Sequence, residues 1–155
     1  MDKLDLKILA RYQYDTRRIA ASIGSEVGLS AAAVQRRLKA LRAAGVIQAE
    51  LAQLNPTALG VRITCIVTIS MAPSSAPHKQ LDRFKRELSA SPAVQQCYHV
   101  TGTMDFVVIV TVAAMEDYAA FARRWFESNK MVARFDTHVV LQRVKVGVGV
   151  PIECA

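Results

Sequence analysis

The chain has 155 residues, of which 52% are hydrophobic and 21% charged, and it carries a formal net charge of +7. That length suits one ordinary domain or two small ones, and the apolar content excludes a mainly disordered chain. The most hydrophobic run, Phe106 to Met115, is about half of what a bilayer span needs. The first nine residues carry charges at Asp2, Lys3, Asp5 and Lys7, a pattern wrong for a secretory signal, so a cytoplasmic protein with no membrane partner is expected. Cys65, Cys97 and Cys154 form no short paired motif, which points to reduced thiols rather than a disulfide framework.

Leu4, Ile8 and Tyr12 recur at helical spacing behind Asp2, a capping residue, with Asp5 in the acid-favouring first turn. Ile19, Ile23 and Val27 make a second period-four stripe that ends at Gly28. Gly24 lies inside it, at a helix cost of about 1 kcal/mol against alanine that is tolerable where another segment crosses close to its backbone. Ser30 then caps a third helix whose apolar stripe is Val34, Leu38 and Leu41. Two helices joined by a tight turn on a supporting helix read as a helix-turn-helix, with the third helix as the one that enters the major groove. Between residues 17 and 42 the cations Arg17, Arg18, Arg36, Arg37, Lys39 and Arg42 face the single acid Glu26. This local basic footprint suits double-stranded DNA, and Arg17, Arg18, Ser30, Gln35, Arg36, Arg37, Lys39 and Arg42 are the candidate contacts. A basic amphipathic helix is also compatible with a plain solvated face, and Arg37 sits on the flank where it can serve either purpose.

Val46 to Leu51 reads as a short strand, giving the first domain a winged character, and Asn55-Pro56 and Gly60 punctuate the chain before a new pattern. Residues 62 to 71 alternate strictly, with Ile63, Cys65, Val67, Ile69 and Met71 on one side, as in a half-buried strand. A turn cluster at 73–77 precedes a helical stripe of Leu81, Phe84 and Leu88. Val94 to Thr101 and Phe106 to Val112 read as a hairpin across the Gly102 to Asp105 loop. Tyr118, Phe121, Ala122 and Trp125 restore helical spacing, and a last strand is expected over about Arg134 to Lys145. Strand, helix, strand, strand, helix, strand is the ferredoxin-like βαββαβ order. The expected fold is α+β: a helix-turn-helix domain over 1–50, a linker over 51–61, the ferredoxin-like domain over 62–145 and a tail over 146–155. Its helices cover one sheet face. The other, expected to carry Cys97, His99, Thr68 and Thr111, is not uniformly polar, and burial against a second copy explains that most simply.

With these residues in view, the chain resembles the Lrp/AsnC family of transcriptional regulators over essentially its full length. Asp2-Lys-Leu-Asp5-Leu-Lys7-Ile8-Leu9 is similar to the family's opening helix. Val27-Gly-Leu-Ser30, Arg37-Leu38 and Gly45-Val46-Ile47 resemble its DNA-binding unit. Val94 to Asp105 resembles its sheet hairpin, and Thr137 to Lys145 its final strand. The resemblance implies a dimer or higher even-numbered assembly joined through the C-terminal sheets, with an amino-acid effector bound where subunits meet. Gly102, Thr103, Met104, Asp105 and Thr137 are then the candidate effector contacts, with loop amides for a carboxylate and Asp105 for an ammonium group. Two departures bear on the ligand: Thr103 stands where an acid is common, and Phe135 where a threonine is frequent. Both favour an aliphatic or aromatic amino acid, or no effector, over a cationic one. The alternative for the loop is a plain hairpin turn in which Asp105 only stabilises backbone.

No phosphate-binding glycine loop or nucleophile elbow is present, so no enzyme and no cofactor are expected. Cys97 and His99 share a strand face, but His138 belongs to the opposite sheet edge of this topology, which argues against a metal site. The bland alternative has Cys97 packing as a small hydrophobe, His99 facing a subunit interface and Trp125 anchoring the core. The retained enzymatic alternative is a siroheme-type tetrapyrrole decarboxylase, which resembles this two-domain plan and implicates His99 and Arg134.

Overall fold

The computed structural model describes residues 1–72 and 78–153, so the turn cluster at 73–77 and Cys154 lie outside the described residues. The chain divides into two compact units: residues 1–53 together with the chain from 145 onward, and residues 54–144.

The first unit holds α1 (Lys3–Tyr12), α2 (Ala20–Val27) and α3 (Ala31–Ala43). Asp2 and Asp5 form a reciprocal capping box on α1, each carboxylate accepting the other's amide at 2.8 Å. α2 has no side-chain cap, and at eight residues it is too short to persist alone, so packing holds it. Ile8, Ile23 and Val34 are fully buried, each contributing about 1.5–3 kcal/mol by leaving water, and Tyr12 and Leu38 complete the cluster. Ile19 precedes α2 as its extended N-cap residue and is 70% exposed, so the inward stripe of the second helix runs from Ala20 through Ile23 to Val27 and leaves Ile19 out. Residues 46–51 form no strand. The Val46 and Ile47 amides instead donate to the Leu41 carbonyl at 3.0 and 3.3 Å, closing the end of α3, and Ile47 packs on the core. Spending those amides on the helix end removes two donors that a ladder needs.

The second unit is built on a four-stranded antiparallel sheet of β1 (Ile63–Met71), β2 (Val94–His99), β3 (Phe106–Val112) and β4 (Val132–Val139), in the order β2-β3-β1-β4. α4 (His78–Ser89) and α5 (Met115–Ala122), the latter continued by a π-helical turn at Arg123–Glu127, supply the helical side of the core. Cys65, Val67 and Ile69 pair with Val110, Val108 and Phe106, and all six are buried with Phe84, Leu88, Tyr118, Phe121 and Phe126. Directly paired residues share a face. Cys97 opposes Val108 and His99 opposes Phe106, which puts both on the helix side, contrary to the sequence expectation. Cys97 packs against the core, and the His99 ring stacks on Phe106 at 4.8 Å between centroids. The shift has a physical cause: an irregularity between Val94 and Gln96 changes the register that simple alternation assumes. β4 stops at Val139 rather than near Lys145; past it Leu141 is fully exposed and the chain leaves the sheet.

The opposite sheet face carries Thr64, Ile66, Thr68 and Ser70 with Val107, Ile109 and Thr111, all of intermediate burial. No helix of the described residues is long and apolar enough to cross a membrane.

Candidate nucleic-acid interface and effector loop

The turn between α2 and α3 is set by two glycines with different duties. Gly28 ends α2 at φ +75°, the left-handed conformation that a side chain disfavours. Gly24 makes room: a Cβ there would lie 2.4 Å from the Leu29 carbonyl oxygen. The Leu29 amide donates back to the Gly24 carbonyl at 2.9 Å, and Ser30 Oγ accepts from the Ala33 amide at 3.2 Å to start α3. The close crossing that rationalises a glycine inside α2 is therefore the turn itself.

The basic residues separate into two groups. Arg37 donates to Asp2 and Asp5, both at 2.7 Å, tying α3 to the capped start of α1. The Asp5 amide and Arg37 hold the Asp2 carboxyl below its ordinary pKa, and Asp5 and then Asp2 raise that of Arg37. Arg42 Nη2 donates to the Tyr12 hydroxyl and to Glu50, each at 2.7 Å, and the Tyr12 hydroxyl donates to Glu50 at 2.8 Å. Those two donors depress the Glu50 pKa, Tyr12 foremost. Arg18 bonds Ser22 and Glu26, while Arg11 reaches the same Glu26 at 2.7 Å, so Arg18 and Arg11 lower its pKa.

Three of the six sequence-predicted cations, Arg18, Arg37 and Arg42, are thus engaged with neighbouring acids. Gln35, Arg36 and Lys39 are exposed on α3 and make no ion pair among the described residues; the Arg17 side chain is 93% exposed and its guanidinium reaches Asp15 at 3.5 Å. Residues 32, 35, 36 and 39 follow helical spacing, so Ala32 joins this face as a small exposed methyl. Arg11 is the basic residue that the sequence reading missed. A lone arginine on the supporting helix carries no local sign of its pairing with an acid 15 positions away.

In the second unit the Gly102 to Asp105 loop is pinned to the end of β1. The Asp105 amide donates to the Ile69 carbonyl at 2.8 Å, and Asp105 Oδ2 accepts from the Met71 amide at 2.7 Å. One carboxylate oxygen is therefore occupied by backbone, while Gly102 and Thr103 are exposed and Met104 is half-buried. Thr137 is elsewhere. It pairs with Val67, four residues along β1 from Met71, about 13 Å at strand rise, and its hydroxyl bonds Tyr118 on α5. Burial, foremost, raises the Tyr118 pKa. One chain does not gather Thr137 and the loop into one pocket. Phe135 packs on Phe126 at 5.1 Å, filling the core rather than lining a cavity.

The tetrapyrrole alternative implicates His99 and Arg134. His99 stands on edge strand β2 with its ring on the helix side, whereas Arg134 stands on the other edge strand opposite Ser70 and bonds Asp136 at 2.9 Å. Within one chain they do not meet. His138, opposite Ile66 on β4, is likewise across the sheet from Cys97 and His99.

The Lrp/AsnC ligand binding domain matches residues 64–150, and the AsnC-type helix-turn-helix domain matches residues 1–42. An HTH-type transcriptional regulator of Sinorhizobium fredii is 40% identical over 99% of this chain and 89% of its own length. The glutamate uptake regulatory protein of Zymomonas mobilis is 35% identical over 76% of this chain and 71% of its own. Among solved structures, an AsnC family transcriptional regulator from Agrobacterium tumefaciens superimposes with a TM-score of 0.86 at 29% identity, covering 97% of both chains. The helix-turn-helix geometry, the antiparallel sheet and these matches lead to one conclusion: the chain belongs to the Lrp/AsnC family of DNA-binding transcriptional regulators.

Proposed function

We propose that this regulator reads its operator through the α3 face of Ala32, Gln35, Arg36 and Lys39, with Arg17 as a flanking phosphate contact. Arg18, Arg37 and Arg42 hold the three helices in the geometry that presents that face. The observation that carries this division is the pairing of the second group with Glu26, Asp2, Asp5 and Glu50, while the first group stays exposed. A guanidinium and an amide on the first turns of a recognition helix suit guanine and adenine edges, and an ammonium suits phosphate.

The half-buried face of Ile66, Val107 and Ile109 is assigned to a second copy of the chain, which pairs two recognition helices on a symmetric site about one helical turn apart. A small amino-acid-like effector is placed at the Gly102 to Asp105 loop in the assembly. The exposed Gly102 and Thr103 and the remaining Asp105 oxygen support that reading, as does the similarity to the glutamate uptake regulatory protein of Zymomonas mobilis. Thr137 contributes only if a neighbouring subunit brings it to another's loop. A non-enzymatic, cytoplasmic role completes the reading, with no cofactor in it. Replacing Arg36 and Lys39 together by alanine is expected to abolish retention on DNA selected by the parent protein while leaving particle mass unchanged. Unaltered retention overturns the assignment.

A further inference from the structure

The C-terminal segment does more than trail from the sheet. The chain leaves the first unit after Gln53 and returns to it at Lys145, so it crosses between the units twice. Where it returns, it is held by side chains. Gln13, which caps the C-terminus of α1, donates from Nε2 to the Val150 carbonyl at 3.1 Å and accepts the Val150 amide on Oε1 at 3.0 Å. One side-chain amide thereby supplies the paired donor and acceptor that a facing strand residue supplies in an antiparallel ladder. Gln53 donates to the Val146 carbonyl at 3.2 Å, which fastens the outgoing crossing to the returning one. Gly149 lies against the Tyr14 ring so closely that a Cβ would sit 3.1 Å from Cε1. Apolar burial at the attachment point is small, since Val148 is 89% and Val150 61% exposed, while Val146 and Ile152 are more covered. The attachment rests on a few hydrogen bonds and one close backbone approach.

We propose that the segment from Lys145 is a strap within the DNA-reading unit that seats its recognition helix, with Gln13 as the positioning residue. The inference rests on the α3 reading given above. Gln13 follows Tyr12, whose hydroxyl bonds Arg42 of α3 and Glu50 of the outgoing chain, so the strap bears on the side-chain network that seats the recognition helix. A segment fastened beside Tyr12 keeps that network in register, and in a paired assembly a recognition helix already seated spends less of its binding free energy on ordering.

The test uses the full chain, its Gln13→Ala and Gln13→Glu variants, and a chain ending at Val144, each titrated against a duplex that the parent protein selects from a random-sequence pool. Gln13→Ala is expected to speed exchange of the Val150 amide by about tenfold, and Gln13→Glu, which keeps the acceptor, by less. Gln13→Ala and the shortened chain are both expected to bind the duplex about tenfold more weakly, with helix content and particle mass unchanged. Affinity within twofold of the parent in both overturns the proposal. So does a loss accompanied by melting of the helices, which makes the segment a part of the fold and not a positioning device. If the Arg36→Ala, Lys39→Ala protein still binds, the reading of α3 fails instead, whatever the strap variants do.

Discussion

Gly24→Ala reverses the usual sign of a helical glycine substitution. At an ordinary exposed helix position the change stabilises by roughly 1 kcal/mol, because alanine is the better helix former. Here the added Cβ meets the Leu29 carbonyl oxygen at 2.4 Å, and ordinary contact begins near 3.4 Å, so the turn must retreat by 1.0 Å. That movement strains the 2.9 Å bond from the Leu29 amide to the Gly24 carbonyl, worth about 1 kcal/mol, and displaces the Ser30 cap, worth about 1 kcal/mol. Overpacking against backbone adds about 1–3 kcal/mol. With the propensity gain subtracted, the net cost is about 2–4 kcal/mol, and a unit of this size loses about 4–8 °C of melting temperature per kcal/mol. Thermal melts followed by circular dichroism at the helical band provide the assay. Ser25→Ala, exposed in the same helix, serves as the control and is expected to change little. A Gly24→Ala protein that melts at or above the parent temperature would mean that the turn does not press on α2.

Further outcomes follow from the side-chain networks. Asp2, Glu26 and Glu50 all have lowered pKa values in the fold, so their pairing stabilises the first unit above their ordinary values of 3.8 and 4.5 and is lost as the pH falls through the lower folded values. A pH series of melts is expected to show the helices losing stability below about pH 4.5, with Glu50→Gln reducing the slope; a flat profile contradicts the pairing. Tyr118→Phe removes the bond to Thr137 and is expected to cost about 1–2 kcal/mol in denaturant unfolding of the second unit, with DNA affinity preserved. Asp105→Ala leaves the Met71 amide without its acceptor, costing about 1–3 kcal/mol, and is expected to remove any thermal stabilisation by added amino acids. Persisting stabilisation would place the effector elsewhere.

Local pattern made much of this legible. The capped start of α1, the Val34, Leu38 and Leu41 stripe, the glycine-bounded turn and the alternation of β1 are each written within a dozen residues, and each formed where the spacing places it. What escaped local reading depended on distant partners. The charge of Arg37 is the same whether it meets DNA or Asp5, and only the packing of α1 on α3 decides between them. Ile19 kept the helical period yet became an extended cap, because a residue preceding the first turn is not bound by the helix's inward face. The Val46 to Leu51 segment has strand-like composition, but its first amides close the end of α3. Side-chain direction on β2 was lost to a one-residue register shift. The return of residues 145–153 to α1 spans 137 positions between Gln13 and Val150, which no periodicity reports.

Two adjacent arginines of α3 separate the DNA-reading role from the structural one. Arg36→Ala and Arg37→Ala would be compared for melting temperature and for affinity on the same selected duplex across a salt series. Arg36→Ala is expected to leave the melting temperature within about 1 °C, as exposed substitutions do, while DNA affinity falls by about 1–3 kcal/mol. Arg37→Ala is expected to lower the melting temperature by several degrees through loss of its bonds to Asp2 and Asp5. The contradicting result is the reverse pattern: an Arg37→Ala protein as stable as the parent but unable to bind, beside an Arg36→Ala protein that binds normally.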